Sequence, residues 1–129
     1  AKIAGYDVIV IPGPDAATTA LVASGLPSDR YAFEGFLPHK KGRQKRLRQL
    51  AEEERTIIVY ESPNRLIKLL SELVEYFGND RLAAVARELT KTFEEVTRSS
   101  LSNLLKDYTA RDSIKGEIVV VIAGKGYTE

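Results

Sequence analysis

Four short stretches carry residues whose types and spacing suit chemistry. The densest is His39–Arg48, where Lys40, Lys41, Arg43, Lys45, Arg46 and Arg48 fall in ten residues with no acid among them, and Glu52, Glu53 and Glu54 follow. On a helix this order opposes the macrodipole, which favours acids at the start and bases at the end. A polyanion is the natural partner for such a density, since each neutralised phosphate releases counterions. A solvated helix face is the bland alternative. Pro12-Gly13-Pro14-Asp15-Ala16 forms a tight turn into a helix start, where backbone N–H groups can meet a polar ligand. A plain structural connection is the other reading of that turn. Glu61, in Tyr60-Glu61-Ser62-Pro63, ends an apolar run, and Arg87, Glu88 and Lys91 follow another. Both stand where ligands gather in open α/β sheets, outside the carboxyl ends of strands.

Other chemistries are excluded by what is missing. The chain has no Cys and a single His, His39, so thiolate sites, iron–sulfur clusters, Cys nucleophiles and multi-His metal centres are absent. His39 lies in the basic stretch, away from any nucleophile elbow, so a Ser–His–Asp triad is not indicated. Neither a GxxxxGK[ST] loop nor a GxGxxG turn after a strand occurs. The six Asp residues outside these stretches or within them are scattered, and no metal is expected.

The elements that must position these residues follow from pattern. The composition reads Tyr6–Ile11 as a strand, Ala16–Ser24 as a helix capped by Asp15, and Tyr31–Phe36 as a strand. Gln44–Arg55 reads as a helix with Leu47, Leu50 and Ala51 on its apolar side, and Thr56–Tyr60 as a buried strand. Ser62-Pro63 signals a helix start, with Leu66, Leu70, Leu73 and Phe77, together with Ile67 and Val74, at helical spacing. Leu82–Ala86 and Phe93–Thr97 are expected as strands, Leu101–Tyr108 as a short helix, and Gly116–Ala123 as the last strand. Six residues separate Ala86 from Phe93, too few for a helical crossover, so that pair must be antiparallel if it pairs.

The fold class is therefore α/β, a mixed parallel and antiparallel sheet of about five strands flanked by helices. At 129 residues and 14.3 kDa the chain suffices for one core. Its longest apolar run, Ile118–Ala123, is far short of the ~18 residues of a membrane helix, and no membrane partner is expected. Net charge is +1, so only the distribution of charge is informative. The chain contains no Met and opens directly into an apolar strand, which reads as a piece of a longer protein. Residues 1–11 are expected to be a remnant strand or linker from an amino-terminal domain, and 12–129 the carboxyl-terminal domain.

In order and spacing, IPGPDAATTALVASGLPSDRYAFEGFLPHKKGRQKRL, VYESPNRL, VARELTKTFEEV and GEIVVVI resemble one family across nearly the whole chain. It is the family of bacterial small-subunit ribosomal RNA 2′-O-ribose cytidine methyltransferases, within the tetrapyrrole-methylase superfamily. Asp15 stands where Ser is common there, and Asn64 where His is common.

The resemblance implies S-adenosylmethionine as cofactor, held in a cleft between two domains, with Asp15, Ala16, Glu61 and Leu89 lining it. A backbone contact at Asp15 survives the change from Ser. The resemblance further implies in-line methyl transfer to a ribose 2′-oxygen, with Glu88 and Lys91 as the local candidates for a base. The lysine serves only if desolvation lowers its pKa. Lys40, Lys41, Arg43, Lys45 and Arg46 are then expected to hold the ribosomal RNA backbone. Partners implied are small-subunit ribosomal RNA, the missing amino-terminal domain and a second copy in a homodimer, in the cytoplasm. The chain alone is expected to be inactive. Alternatives are a methyltransferase domain for a tetrapyrrole or other small molecule, and a non-catalytic RNA-binding or dimerisation module.

Overall fold

The computed structural model describes the backbone of residues 14–88 and 93–128 and the side chains of 16–87 and 95–128. The strand expected over Tyr6–Ile11, and with it the 1–11 segment, lies outside these residues. The elements run α1 (Pro14–Ser24), β1 (Tyr31–Phe36), α2 (Arg43–Ala51), β2 (Thr56–Glu61), α3 (Leu66–Phe77), β3 (Leu82–Glu88), β4 (Phe93–Ser100), α4 (Leu101–Thr109) and β5 (Glu117–Ile122). The five strands form one sheet in the order β1-β2-β5-β3-β4. β1 and β2 are parallel, and every other neighbouring pair is antiparallel, including β3 with β4 as the short connection requires. The mixed α/β class expected from the sequence is the one observed.

Alternation along the central strands sorts side chains onto two layers. Ile57, Val59, Ala83, Val85, Ile118, Val120 and Ile122 face α2, α3 and α4 and form the larger core with Leu47, Leu69, Leu70, Leu73 and Tyr108. Ile58, Tyr60, Ala86, Val119 and Val121 face the other way, against Ala17, Ala20 and Leu21 of α1. β2 is buried along its whole length because it has strands on both sides and helices over its inner face.

Several boundaries differ from expectation, each for a local reason. α1 begins at Pro14, so Asp15 is inside the first turn rather than at the cap; Pro14, lacking an N–H, suits the first helical position. Ser62-Pro63 opens a 3₁₀ turn, Pro63–Arg65, before α3 begins at Leu66, and the Ser62 hydroxyl lies 2.8 Å from Asn64 Oδ1 instead of capping the helix. α2 stops at Ala51, not Arg55. The Lys125 N–H donates to the Glu53 carbonyl at 2.7 Å, drawing 53–55 into the loop beside Gly124. In α3, Leu69 joins the buried stripe whereas Ile67, about 100° away from Leu66, is 38% exposed. Ser100 caps α4 by accepting from the Asn103 N–H.

Candidate functional site

Because β2 and β3 both run antiparallel to β5, they are parallel to each other across it, and β1 is parallel to β2. Three carboxyl ends therefore emerge at one edge of the sheet: Phe36 of β1, Glu61 of β2 and Glu88 of β3. Register fixes their levels. Glu61 and Arg87 both pair with Ile118, and Glu88 pairs with Glu117. The sheet thus brings together the two strand ends that the sequence singled out separately.

At this edge the Glu61 side chain turns back onto its own connection. It is buried, accepts a hydrogen bond from the Ser62 N–H at 3.0 Å, and faces Arg65 Nε at 3.5 Å. Arg87 approaches Glu95, its cross-strand partner on β4, at 3.7 Å, and its Nη1 donates to the Lys115 carbonyl at 3.5 Å. Glu95 also takes a 2.6 Å bond from Arg111, whose Nε reaches Asp107 at 3.1 Å and whose guanidinium lies 4.1 Å from the centre of the Tyr108 ring. Arg111 holds the Glu95 carboxyl below the usual glutamate range, chiefly through that hydrogen bond. The chain of charges ties β3, β4, α4 and the approach to β5 into one rim. Beside it lies a concavity of about 480 Å³ lined by Pro63, Asn64, Ile67, Arg111, Ser113 and Ile114. A larger one, about 680 Å³, is at the opposite edge, between the start of β2 and the segment after β5.

Ala16 is half-buried in the first turn of α1, next to Asp15. Leu89 and Lys91 lie outside the described residues, and Glu88 is described in its backbone only.

The basic stretch separates into two kinds of residue. Gly42, at φ +82°, makes the turn that starts α2. Arg43, only 5% exposed, donates to Glu72 on α3 through Nε and Nη2 at 3.0 and 2.7 Å and to the Pro38 carbonyl at 2.9 Å. Arg46 forks onto Glu34 of β1 at 2.6 and 2.9 Å. Hydrogen bonds to Glu72 and Glu34 raise both guanidinium pKa values further. These two acids, distant in sequence, answer the adverse order of charge along α2. Lys40, Lys41, Lys45 and Arg48 are exposed. Sequence reasoning placed Arg43 among surface bases; the one available signal was its position four residues before Leu47, on the apolar face of the helix.

Comparison with known proteins bears on this arrangement. Over 122 residues the chain is 51% identical to "Ribosomal RNA small subunit methyltransferase I" of Mycobacterium tuberculosis, covering 94% of this chain and 42% of that protein. It is 48% identical over 127 residues to the protein of the same name from Pseudomonas aeruginosa, covering 96% and 45%. The chain thus spans less than half the length of these curated relatives. Among solved structures, the methyltransferase CobJ superposes with a TM-score of 0.65 at 20% identity, over 98% of this chain and 54% of that one. A uroporphyrin-III C-methyl transferase from Thermus thermophilus, complexed with S-adenyl homocysteine, gives 0.50 at 17%, over 82% and 49%. At these identities the likeness shows the shared fold alone. The family model described as Tetrapyrrole (Corrin/Porphyrin) Methylases matches residues 1–105. The chain belongs to the tetrapyrrole methylase family.

Proposed function

We propose that this chain is part of an S-adenosylmethionine-dependent methyltransferase that 2′-O-methylates a cytidine ribose in small-subunit ribosomal RNA. The observation that carries the reading is the meeting of the β2 and β3 carboxyl ends at one sheet edge, the usual ligand side of an open α/β sheet. The names and identities of the relatives support the substrate class.

The donor's chemistry fits this edge. When bound, S-adenosylmethionine supplies a methyl group on a sulfonium, open to in-line displacement by the ribose 2′-oxygen. The carboxyl ends of β2 and β3 present backbone groups at this edge that can meet the donor's polar atoms. Asp15, Ala16, Glu61 and Leu89 line the donor, Glu61 through its backbone because its carboxylate is taken up by Ser62 and Arg65. The ladder holds the carboxyl ends of β2 and β3 in fixed relation, and orientation of this kind is worth up to ~7–11 kcal/mol. Glu88 or Lys91 accepts the proton of the 2′-hydroxyl, a contribution of ~100- to 10,000-fold. Lys40, Lys41 and Lys45 hold RNA phosphates, with Arg43 and Arg46 fixing the loop that presents them. The rest of the proposed assembly is an amino-terminal domain closing the cleft and a homodimer working in the cytoplasm, with the 129-residue chain inactive alone.

The test is transfer of a labelled methyl group by the full-length protein to small-subunit ribosomal RNA, free or assembled, and to a uroporphyrinogen. Label in 2′-O-methylcytidine after nuclease digestion supports the proposal. Label in the tetrapyrrole alone favours the small-molecule alternative, and label in neither refutes the assignment.

A further inference from the structure

Strand β4 leads away from the edge where β2 and β3 end, and α4 follows it directly and packs back against it. Arg111, just past α4, thereby comes back to Glu95 near the start of β4, sixteen residues earlier, and donates to its carboxylate at 2.6 Å. The guanidinium is fixed on its own side first. Nε and Nη2 donate to the two oxygens of Asp107 at 3.1 and 3.2 Å, leaving Nη1 for Glu95. Its central carbon lies 4.1 Å from the centre of the buried Tyr108 ring.

Glu95 stands at the last regular pair of the β3–β4 ladder. Arg87 faces Glu95, but the next pair is Glu88 with Phe93, so Glu94 is an extra residue on β4. A bulge of this kind interrupts the ladder and bends the strand that carries it. On its β4 side, Glu88 thus lies beyond the point where regular pairing sets the direction of the backbone. The charge network meets the hairpin at that point. Arg87 approaches Glu95 at 3.7 Å through Nε, which is buried without a hydrogen bond among the described residues, and donates through Nη1 to the Lys115 carbonyl at 3.5 Å. The Arg111 and Glu95 side chains are 25% and 35% exposed. Ion pairs so exposed add little to stability, so the weight of this one falls on geometry.

We propose that Arg111 is a positioning residue for methyl transfer: through Glu95 it holds the last regular β3–β4 pair and so sets the backbone at Glu88 relative to the donor. The role rests on the methyltransferase reading above and adds to it a residue that acts through another. The test is steady-state methyl transfer by the full-length protein well below its unfolding midpoint, with donor and RNA varied separately. Arg111→Ala is expected to lower kcat about 10-fold with both KM values within about twofold of wild type, since a misplaced group costs rate more than affinity. Arg111→Lys recovers part of the loss, because an ammonium can reach Glu95 without the fork onto Asp107. Glu95→Ala shows the same fall, and adding Arg111→Ala to it brings no further loss. An unchanged kcat in Arg111→Ala, with or without a raised KM, overturns the positioning role and leaves the methyltransferase reading standing. A loss that vanishes once rates are scaled to the folded fraction, measured by circular dichroism, does the same. Losses that multiply in the double variant overturn the route through Glu95. If the wild-type protein labels no acceptor, the reading itself fails and the positioning role falls with it.

Discussion

Glu61 and Arg87 stand at the same level of the sheet, one on either side of Ile118, which is the pairing partner of both. Two strand spacings separate them, roughly 10 Å. Residues 26 positions apart are thereby fixed on one rim by the backbone ladder alone, with no loop needed to bring them together. The polar contacts around them differ: Glu61 is satisfied within its own connection, whereas Arg87 leads through Glu95 and Arg111 to α4.

Arg43 anchors α2 to α3, and its loss should be felt as instability. Arg43→Ala leaves Glu72 without its partner and removes a donor from the Pro38 carbonyl, at a cost of about 2–3 kcal/mol. Arg43→Lys restores only part, since a single ammonium cannot reproduce the fork. Urea denaturation measures both; a change under 0.5 kcal/mol for Arg43→Ala would contradict the anchoring role.

The exposed lysines should behave differently. Lys40→Ala, Lys41→Ala and Lys45→Ala are each expected to leave the unfolding midpoint unchanged and to lower the slope of log affinity for RNA against log salt by about 0.7 to 0.9. The slopes are read from binding titrations between low and moderate salt. Equal slopes for wild type and the triple variant would show that these side chains meet no phosphate.

Glu95 gives the rim an acid dependence. Its carboxyl titrates below the ordinary glutamate value of 4.5 because Arg111 donates to it. A depressed folded-state value means that its stabilisation is complete above the unfolded value and is lost as pH falls through the folded one. Thermal melts from pH 6 to pH 3 should therefore fall less steeply for Glu95→Gln than for wild type below about pH 4.5. Parallel curves would contradict the linkage.

Gly124 is required by a close approach of backbone. A Cβ there would overlap the Glu54 carbonyl and lie 2.9 Å from the Arg55 oxygen, and none of these atoms ends a flexible side chain. Gly124→Ala is expected to cost about 3 kcal/mol. Gly42→Ala meets open space but must hold φ +82°, at about 1–2 kcal/mol. Comparable chemical-denaturation midpoints for the two variants would speak against this distinction.

Strand β1 was legible in the sequence to the residue, and the antiparallel β3–β4 pair followed from a connection too short for anything else. Glu61 at a strand end was equally readable, because the β-branched run before it stops at Ser62-Pro63. Local pattern failed where a distant partner decides the outcome. Glu72 converts Arg43 from a surface charge to a buried anchor, and the segment around Gly124 shortens α2. The bulge at Glu34–Gly35 was invisible for a related reason: YAFEGF alternates acceptably, and only pairing with β2 shows the slip that gathers Phe33 and Phe36 onto one face.

Ribose-methylation mapping of small-subunit ribosomal RNA, from cells with and without the gene, tests the proposed reaction most directly. Loss of 2′-O-methylation at a cytidine, restored by the wild-type gene, is the expected result. An unchanged methylation map in the deleted strain would contradict the assignment.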